Sequence, residues 1–194
     1  SLCEEALALA AKALANADGQ TAAKIAPIDS EIDQMERTIE SLCLKLLLQQ
    51  QPVARDLRQI SAALKMITDM ERIGDQASDI AEIIGFLNGR IGTDAQYICQ
   101  MAVAAMRMVT ESVEAYVKRD VAMAEATIQH DDVVDDLFLK VKESLIQMIS
   151  ENPKDGEYAL DLLMIAKYFE RIGDHATNIA EWVVFSVTGV HEQG

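Results

Sequence analysis

The sequence predicts an all-α protein made of two tandem three-helix bundles related by internal pseudo-symmetry. Three observations lead to this prediction: a segment that occurs twice, a composition poor in strand signals, and long helical patterns separated by short turns. Half of the 194 residues are hydrophobic but only 5% are aromatic, and the chain has three prolines. A core of Ala, Leu, Ile, Val and Met favours helices, and no alternating β-branched run marks a strand.

The repeated segment spans thirteen residues. Residues 70–82 read M-E-R-I-G-D-Q-A-S-D-I-A-E and residues 169–181 read F-E-R-I-G-D-H-A-T-N-I-A-E, with nine identical positions at an offset of 99. Upstream the offset is 102, and it aligns three aspartates of each half: Asp18, Asp29 and Asp33 with Asp120, Asp131 and Asp135. Self-similarity on this scale indicates a duplicated architecture. The predicted repeats are residues 1–90, the first half, and residues 91–194, the second half.

Six helices are expected to account for almost the whole chain. They run from the start to about Asn16, from about Thr21 to Gln50, from Pro52 to about Leu87, from after Thr93 to about Lys118, from about Val121 to Glu151, and from about Glu157 to Val187. Pro27 lies near the start of the second helix, so its first turn is expected to be separate or kinked. Pro52 suits the first position of the third helix, where a missing N–H costs nothing. The repeat offset also predicts that Ser1 lies inside a helix.

Charge and cysteine content narrow the functional classes. The formal net charge of −15 disfavours nucleic acid, whose phosphates need Lys and Arg, and anionic lipid surfaces. It is compatible with cations or basic protein partners. Cys3, Cys43 and Cys99 have no metal-site spacing, so buried thiols in a reducing cytoplasm are expected. No apolar stretch of about 18 residues predicts a membrane span.

Acidic residues recur at i and i+4 in both halves. The pairs are Asp29/Asp33, Glu71/Asp75, Asp131/Asp135 and Glu170/Asp174, and Asp79 and Asn178 follow at i+8. On a helix such side chains share one face. A solvated acidic face is the commonest interpretation of one such pair. Recurrence in both halves, together with a glycine in the middle of each repeated motif (Gly74 and Gly173) that permits close approach, favours a cation site instead.

An antiparallel helix pair would bring the two acidic stripes of each half together. The candidate metal ligands are Asp29, Asp33, Glu71, Asp75 and Asp79 in the first half, and Asp131, Asp135, Glu170, Asp174 and Asn178 in the second. Clustered carboxylates repel each other without a cation. Oxygen ligands suit Mg, Ca, Mn or Fe, with Zn also possible. Arg72 and Arg171 are expected to pair with the aspartate three residues on, and His175 to lie at the surface or between helices.

Catalysis has little support in the sequence. No Glu-x-x-His motif occurs, which argues against a ferritin-like di-iron enzyme. Walker A, Gly-x-Gly-x-x-Gly, Gly-x-Ser-x-Gly and His-Glu-x-x-His motifs are absent as well. We therefore predict a protein that is not an enzyme. The open alternatives are a metal-dependent carboxylate-bundle enzyme and a regulatory domain of a sodium/phosphate transporter.

The two Glu-Arg-Ile-Gly-Asp motifs make the chain resemble the PhoU family of phosphate-uptake regulators. The segment Gln51–Arg58, the paired aspartates described above and the ending Val187-Thr-Gly189 extend this resemblance over nearly the whole sequence. It implies two tandem three-helix bundles and metal clusters held by the acid-x-x-x-Asp motifs. Asn178, which aligns with Asp79 in the repeat, departs from the fully acidic pattern.

The resemblance also implies a function. Members of this family act in the cytoplasm as negative regulators of phosphate-starvation signalling. The implied partners are the ATPase of the phosphate ABC transporter and the phosphate-sensing histidine kinase, with membrane association only through those partners. A homodimer is expected, and nucleic acid is not expected as a ligand.

Overall fold

The protein, described from a computed structural model over residues 1–92 and 95–191, consists of helices joined by short turns. The helices are α1 Leu2–Asn16, α2 Gly19–Ala22, α3 Ile25–Gln49, α4 Ala54–Phe86, α5 Gln96–Lys118, α6 Val121–Gln129, α7 Asp131–Glu151 and α8 Gly156–Thr188. A 3-10 turn over Pro153–Asp155 precedes α8. These residues contain no β-strand, so the all-helical prediction is confirmed.

Each half contributes one antiparallel set of long helices. Helices α1, α3 and α4 pack against one another in the first half, and α5, α7 and α8 do so in the second. The most extensive pairing in the molecule joins α4 to α8, and α1 packs on α5. One hydrophobic core therefore runs through both halves. The division between residues 90 and 91 stays a prediction about the repeat.

The second predicted helix is not a single element but two helices. The chain forms α2, continues through Ala23 and Lys24, and begins α3 at Ile25. Pro27 is the third residue of α3, where an N–H has no intrahelical partner. In an unbroken helix the Pro27 ring would clash with the carbonyl of Ala23. The first turn is thus separate from the rest of the helix, which is one of the two forms predicted from Pro27.

The fifth predicted helix is also divided, although it contains no proline. His130 ends α6, and its N–H donates to the carbonyls of Ala126 and Thr127. Helix α7 then begins at Asp131. The break positions the carboxylate of Asp131 in the first turn of α7, where the helix dipole favours an acid.

Several helix ends differ from the predicted ones. Helix α4 begins at Ala54 rather than Pro52, after an extended Val53. Ser1 precedes α1 and caps it, because its hydroxyl accepts from the N–H of Glu4. Gly189 closes α8 with φ +77°, close to the predicted end at Val187. Thr93, after which the fourth helix was predicted to begin, lies outside the described residues.

Aliphatic side chains form most of the core. Its largest fully buried members include Leu7, Ile73, Ile80, Leu162 and Phe169. Many of the other buried residues are alanines, which let helix axes approach closely. Cys3 and Cys43 are free and buried, as expected, whereas Cys99 is free but only half-buried. Burial raises the pKa of the Cys3 thiol to about 12.

Candidate metal centre

The first acidic cluster forms where α3 crosses α4 at Gly74. A Cβ atom on Gly74 would lie 2.8 Å from Oδ1 of Asp29 and 2.9 Å from Cδ1 of Ile32. Contacts this short do not occur between real Cβ atoms and their neighbours. The missing side chain therefore lets α3 place its carboxylates against α4, as the mid-helix glycine predicted.

Three aspartates of the first half converge there. Asp29 and Asp33 from α3 and Asp75 from α4 each offer a carboxylate oxygen, and these three atoms lie within 4.8 Å of one another. Oδ1 of Asp29 and Oδ1 of Asp33 are buried and have no hydrogen-bond partner. Buried acceptors are normally satisfied, so both oxygens are free to bind a cation.

The electrostatics of the first cluster are those of crowded anions. Burial, with the nearby charges of Asp75, Asp33 and Asp79, raises the pKa of Asp29 to about 6. Burial and the neighbouring Asp75, with which it shares a hydrogen bond, raise the pKa of Glu71 to about 7. Both groups are therefore partly protonated near neutral pH. A bound cation would displace those protons.

Glu36 belongs to the same cluster and was missed by the sequence prediction. Burial and the charges of Glu40, Asp33 and Asp75 outweigh Arg37 and raise the pKa of the Glu36 carboxyl. Glu36 lies seven residues after Asp29 on α3, so the helical period could have found it. We define the first acidic cluster as Asp29, Asp33, Glu36, Glu71, Asp75 and Asp79.

Two arginines lie at the edge of the first cluster. Arg72 is 3.6 Å from Oδ2 of Asp75 and 3.8 Å from Oε2 of Glu71, and its side chain is 59% exposed. Such exposed pairs contribute little. Arg171 of the second half partly offsets the rise that burial, Asp75 and Glu82 produce in the pKa of Asp79.

The second acidic cluster occupies the matching place between α7 and α8. It contains Asp131, Asp135, Glu170 and Asp174. A Cβ atom on Gly173 would lie 3.2 Å from Oδ1 of Asp131, a looser approach than at Gly74. That oxygen is buried without a partner. Burial and the charges of Asp135 and Asp174 raise the pKa of Asp131 to about 6.

A lysine enters the second cluster. Nζ of Lys167 lies 2.6 Å from Oε2 of Glu170 and 5.3 Å from the centroid of the Phe138 ring. Burial and Glu170 raise the pKa of Asp135 and Asp174, and Lys167 opposes both shifts.

Asn178 does not join the second cluster as predicted. Its side-chain amide donates to Oδ1 of Asp69 on α4, at 3.2 Å. His175 Nδ1 lies 2.9 Å from the same oxygen, so His175 is an interhelix residue as expected. The two side chains connect α8 to α4, and Asp69 was not predicted to take part. Arg171 also differs from expectation, because its guanidinium lies 5.7 Å from the centroid of the Tyr168 ring.

The donor set fits a hard cation. Every ligand available in the first cluster is a carboxylate oxygen, which is the donor type that Mg, Ca and Mn prefer. The orphaned oxygens of Asp29 and Asp33, and the space that Gly74 leaves for Asp29, support this fit. A bound cation would neutralise the crowded carboxylates and hold α3 to α4.

The fold and the two clusters together define a class: an all-helical protein of two bundles, each with carboxylates facing each other across a helix pair. A family model described as "PhoU domain" matches residues 1–84 and again 98–183. The chain therefore belongs to the PhoU family.

Individual relatives extend over nearly the whole chain. A "Phosphate-specific transport system accessory protein PhoU homolog" of Clostridium acetobutylicum is 36% identical over 97% of this chain and 87% of its own length. A protein of the same name from Synechocystis is 36% identical over 99% of this chain and 86% of its own.

Solved structures agree with the fold. The crystal structure of PhoU from Pseudomonas aeruginosa matches with a TM-score of 0.93 and 34% identity, covering 97% of this chain and 91% of that one. The phosphate transport system regulatory protein PhoU from Streptococcus pneumoniae matches with a TM-score of 0.89 and 26% identity, covering 99% and 91%. None of the helices in the described residues is long and apolar enough to cross a membrane.

Proposed function

We propose that this protein is a noncatalytic, cytoplasmic regulator of phosphate uptake that represses phosphate-starvation signalling. The observation that carries the proposal is the match to the PhoU family over both halves. The relatives are named as accessory or regulatory proteins of phosphate transport. These names support an adaptor role over the alternative of a metal-dependent enzyme.

The proposed partners are the ATPase of the phosphate ABC transporter and a phosphate-sensing histidine kinase. A chain with a net charge of −15 suits basic surfaces on those proteins and depends on salt when it meets them. The protein would reach the membrane only through these partners, and a homodimer is the proposed assembly.

We further propose that the acidic clusters bind cations as part of this role. In the first cluster Asp29, Asp33 and Asp75 would supply the oxygens, with Glu71 and Asp79 beside them. In the second, Asp131, Asp135, Glu170 and Asp174 would do so. Asn178 is not proposed as a ligand, because its amide is held by Asp69. The cation supplies positive charge that fixes the geometry of the helix pair.

A genetic test addresses the regulatory role directly. Deleting the gene should derepress phosphate-scavenging functions in phosphate-rich medium, and the unsubstituted gene should restore repression. Normal repression in the deletion strain would contradict the proposal. A phosphatase assay with added Mn or Mg would then test the enzyme alternative.

The cation part has a separate test. Elemental analysis of protein purified without chelator or affinity metal should find Fe, Zn, Mn, Mg or Ca bound. Asp75→Ala and Asp174→Ala should each lower the metal content. The same two variants should complement the deletion poorly if the cation matters for signalling, and a protein free of metal in every preparation would argue against this part alone.

A further inference from the structure

The two acidic clusters can be compared position by position, because the repeat aligns them. The offset of 102 aligns α3 with α7, and the offset of 99 aligns α4 with α8. Four of the ligand candidates correspond directly: Asp29, Asp33, Glu71 and Asp75 to Asp131, Asp135, Glu170 and Asp174. These four carboxylates therefore occupy equivalent positions in the two halves.

Three aligned positions at the clusters differ in chemistry. Asp79 corresponds to Asn178, which binds Asp69 instead, and the other two positions alter the second cluster itself.

Glu36 of the first half corresponds to Phe138, so the second cluster has an apolar ring where the first has an acid. Thr68 corresponds to Lys167, so the second cluster gains a cation where the first has a neutral hydroxyl. Thr68 donates its hydroxyl hydrogen to the carbonyl of Leu64.

The two changes act together in the structure. The Phe138 ring faces the Lys167 ammonium at 5.3 Å, a distance at which a ring attracts a cation. The ammonium lies 2.6 Å from Oε2 of Glu170, and the side chain of Glu170 is only 18% exposed. The charge of Lys167 also reaches Asp135 and Asp174 on the two helices that build the cluster.

We infer that Lys167, held by Phe138, is a built-in counterion of the second acidic cluster and sets the two clusters apart in cation affinity. Its ammonium occupies a carboxylate oxygen that a metal ion would otherwise use and repels any divalent cation beside it.

The cation beside the first cluster is Arg72, whose side chain is 59% exposed and whose guanidinium lies 3.6 Å from Asp75 and 3.8 Å from Glu71. This contact is longer than that of Lys167 with Glu170, so the first cluster takes the metal more tightly. This inference rests on the proposed cation binding and adds the residue that determines which half binds.

The test uses reciprocal substitutions and Mn²⁺ as the probe. Lys167→Thr gives the second cluster the residue of the first, and Thr68→Lys does the reverse. Mn²⁺ binding to Lys167→Thr is measured in an Asp75→Ala background, so that it reports on the second cluster. Mn²⁺ binding to Thr68→Lys is measured in an Asp174→Ala background, so that it reports on the first cluster. Lys167→Arg keeps the charge, and Lys154→Thr removes an exposed lysine elsewhere.

Calorimetric titration of the metal-stripped full chain measures the Mn²⁺ affinity of each variant. Lys167→Thr should tighten Mn²⁺ binding by at least about tenfold, because a like charge a few ångströms away no longer opposes the ion. Thr68→Lys should weaken it by a similar factor, and neither Lys167→Arg nor Lys154→Thr should tighten it. Equal affinities in Lys167→Thr and Lys154→Thr would overturn the inference.

A measurement without metal tests the counterion role of Lys167 separately from the proposed cation binding. Without metal, Lys167→Thr should lower the melting temperature more than Lys154→Thr, because the carboxylates lose their internal counterion. If the unsubstituted chain binds no Mn²⁺, the proposed cation binding fails. The counterion role then stands if Lys167→Thr lowers the metal-free melting temperature by more than Lys154→Thr, and falls if it does not.

Discussion

The two halves of this protein share a backbone but differ in how their acidic clusters are neutralised. The first cluster gathers six carboxylates around Gly74 and has arginines only at its edge. The second gathers four around Gly173 and includes the ammonium of Lys167. The difference shows that a duplicated fold can keep four carboxylates in matching positions while three neighbouring positions change the charge around them.

The largest expected difference in stability concerns the two mid-helix glycines. The Cβ of Gly74→Ala would lie 2.8 Å from Asp29 and 2.9 Å from Ile32. Overpacking costs about 1–3 kcal/mol and the better helix propensity of Ala offsets about 1 kcal/mol, so the free energy of unfolding should fall by up to about 2 kcal/mol. At Gly173 the nearest atom is a carboxylate oxygen at 3.2 Å. There the helix propensity of Ala, about 1 kcal/mol better than Gly, should offset the contact.

Urea unfolding of the two variants against the unsubstituted protein measures this difference. A shift of the midpoint at unchanged slope reports stability alone. Finding Gly173→Ala the more destabilising of the two would contradict the closer helix approach in the first half.

The pH dependence of stability should follow the crowded carboxylates. The pKa of Asp29 rises from 3.8 to about 6 and that of Glu71 from 4.5 to about 7. A carboxyl with a raised pKa in the folded state binds more protons there than in the unfolded state, so stability is lost as pH rises through that window. The metal-free protein should therefore be less stable at about pH 8 than at about pH 5 as far as these groups are concerned.

Thermal unfolding across this range tests the sign. Added Mn²⁺ should raise the melting temperature more at the alkaline end, where the carboxylates no longer hold protons. Metal-free stability that increases steadily between the two pH values would rule out these groups as its main determinant.

The smallest expected effect comes from removing one negative charge in each half. The charge of Asp75 contributes to the raised pKa of Asp29, Glu71 and Asp79. Asp75→Asn should stabilise the metal-free protein at alkaline pH by about 0.5–1 kcal/mol, the upper range for exposed charge pairs.

Asp174→Asn should give less, because Lys167 lowers the repulsion among the carboxylates of the second cluster. Lys167 also lies closer to Glu170 than Arg72 lies to Asp75. Urea midpoints of both variants, measured with chelator present, provide the comparison.

Much of the fold could be predicted because the repeat fixes it. The periodicity, the doubled motif and the turn residues placed α1, α4 and α8 to within a few residues at each end. The break before α3 was anticipated from Pro27, which is the third residue of that helix. The break before α7 was not, because it occurs at His130, where no proline or glycine marks it. Tertiary packing rather than local propensity sets such a break.

The candidate site was only partly predictable. The acids at i and i+4, together with Gly74, were sufficient to predict that Asp29, Asp33 and Asp75 come together. The structure places Asn178 differently from the prediction, because its amide donates to Asp69 on the neighbouring α4. Sequence spacing contains no information about that neighbour. Lys167 was overlooked although it lies three residues before Glu170 on the same face.

The comparison is tested most directly by titrating the metal-stripped protein with Mn²⁺ near neutral pH. The unsubstituted chain, Asp75→Ala and Asp174→Ala are measured side by side by calorimetry. The account predicts that Asp75→Ala removes the tightest binding event and that Asp174→Ala leaves it in place. Loss of the tightest event in Asp174→Ala, with Asp75→Ala unchanged, would contradict it.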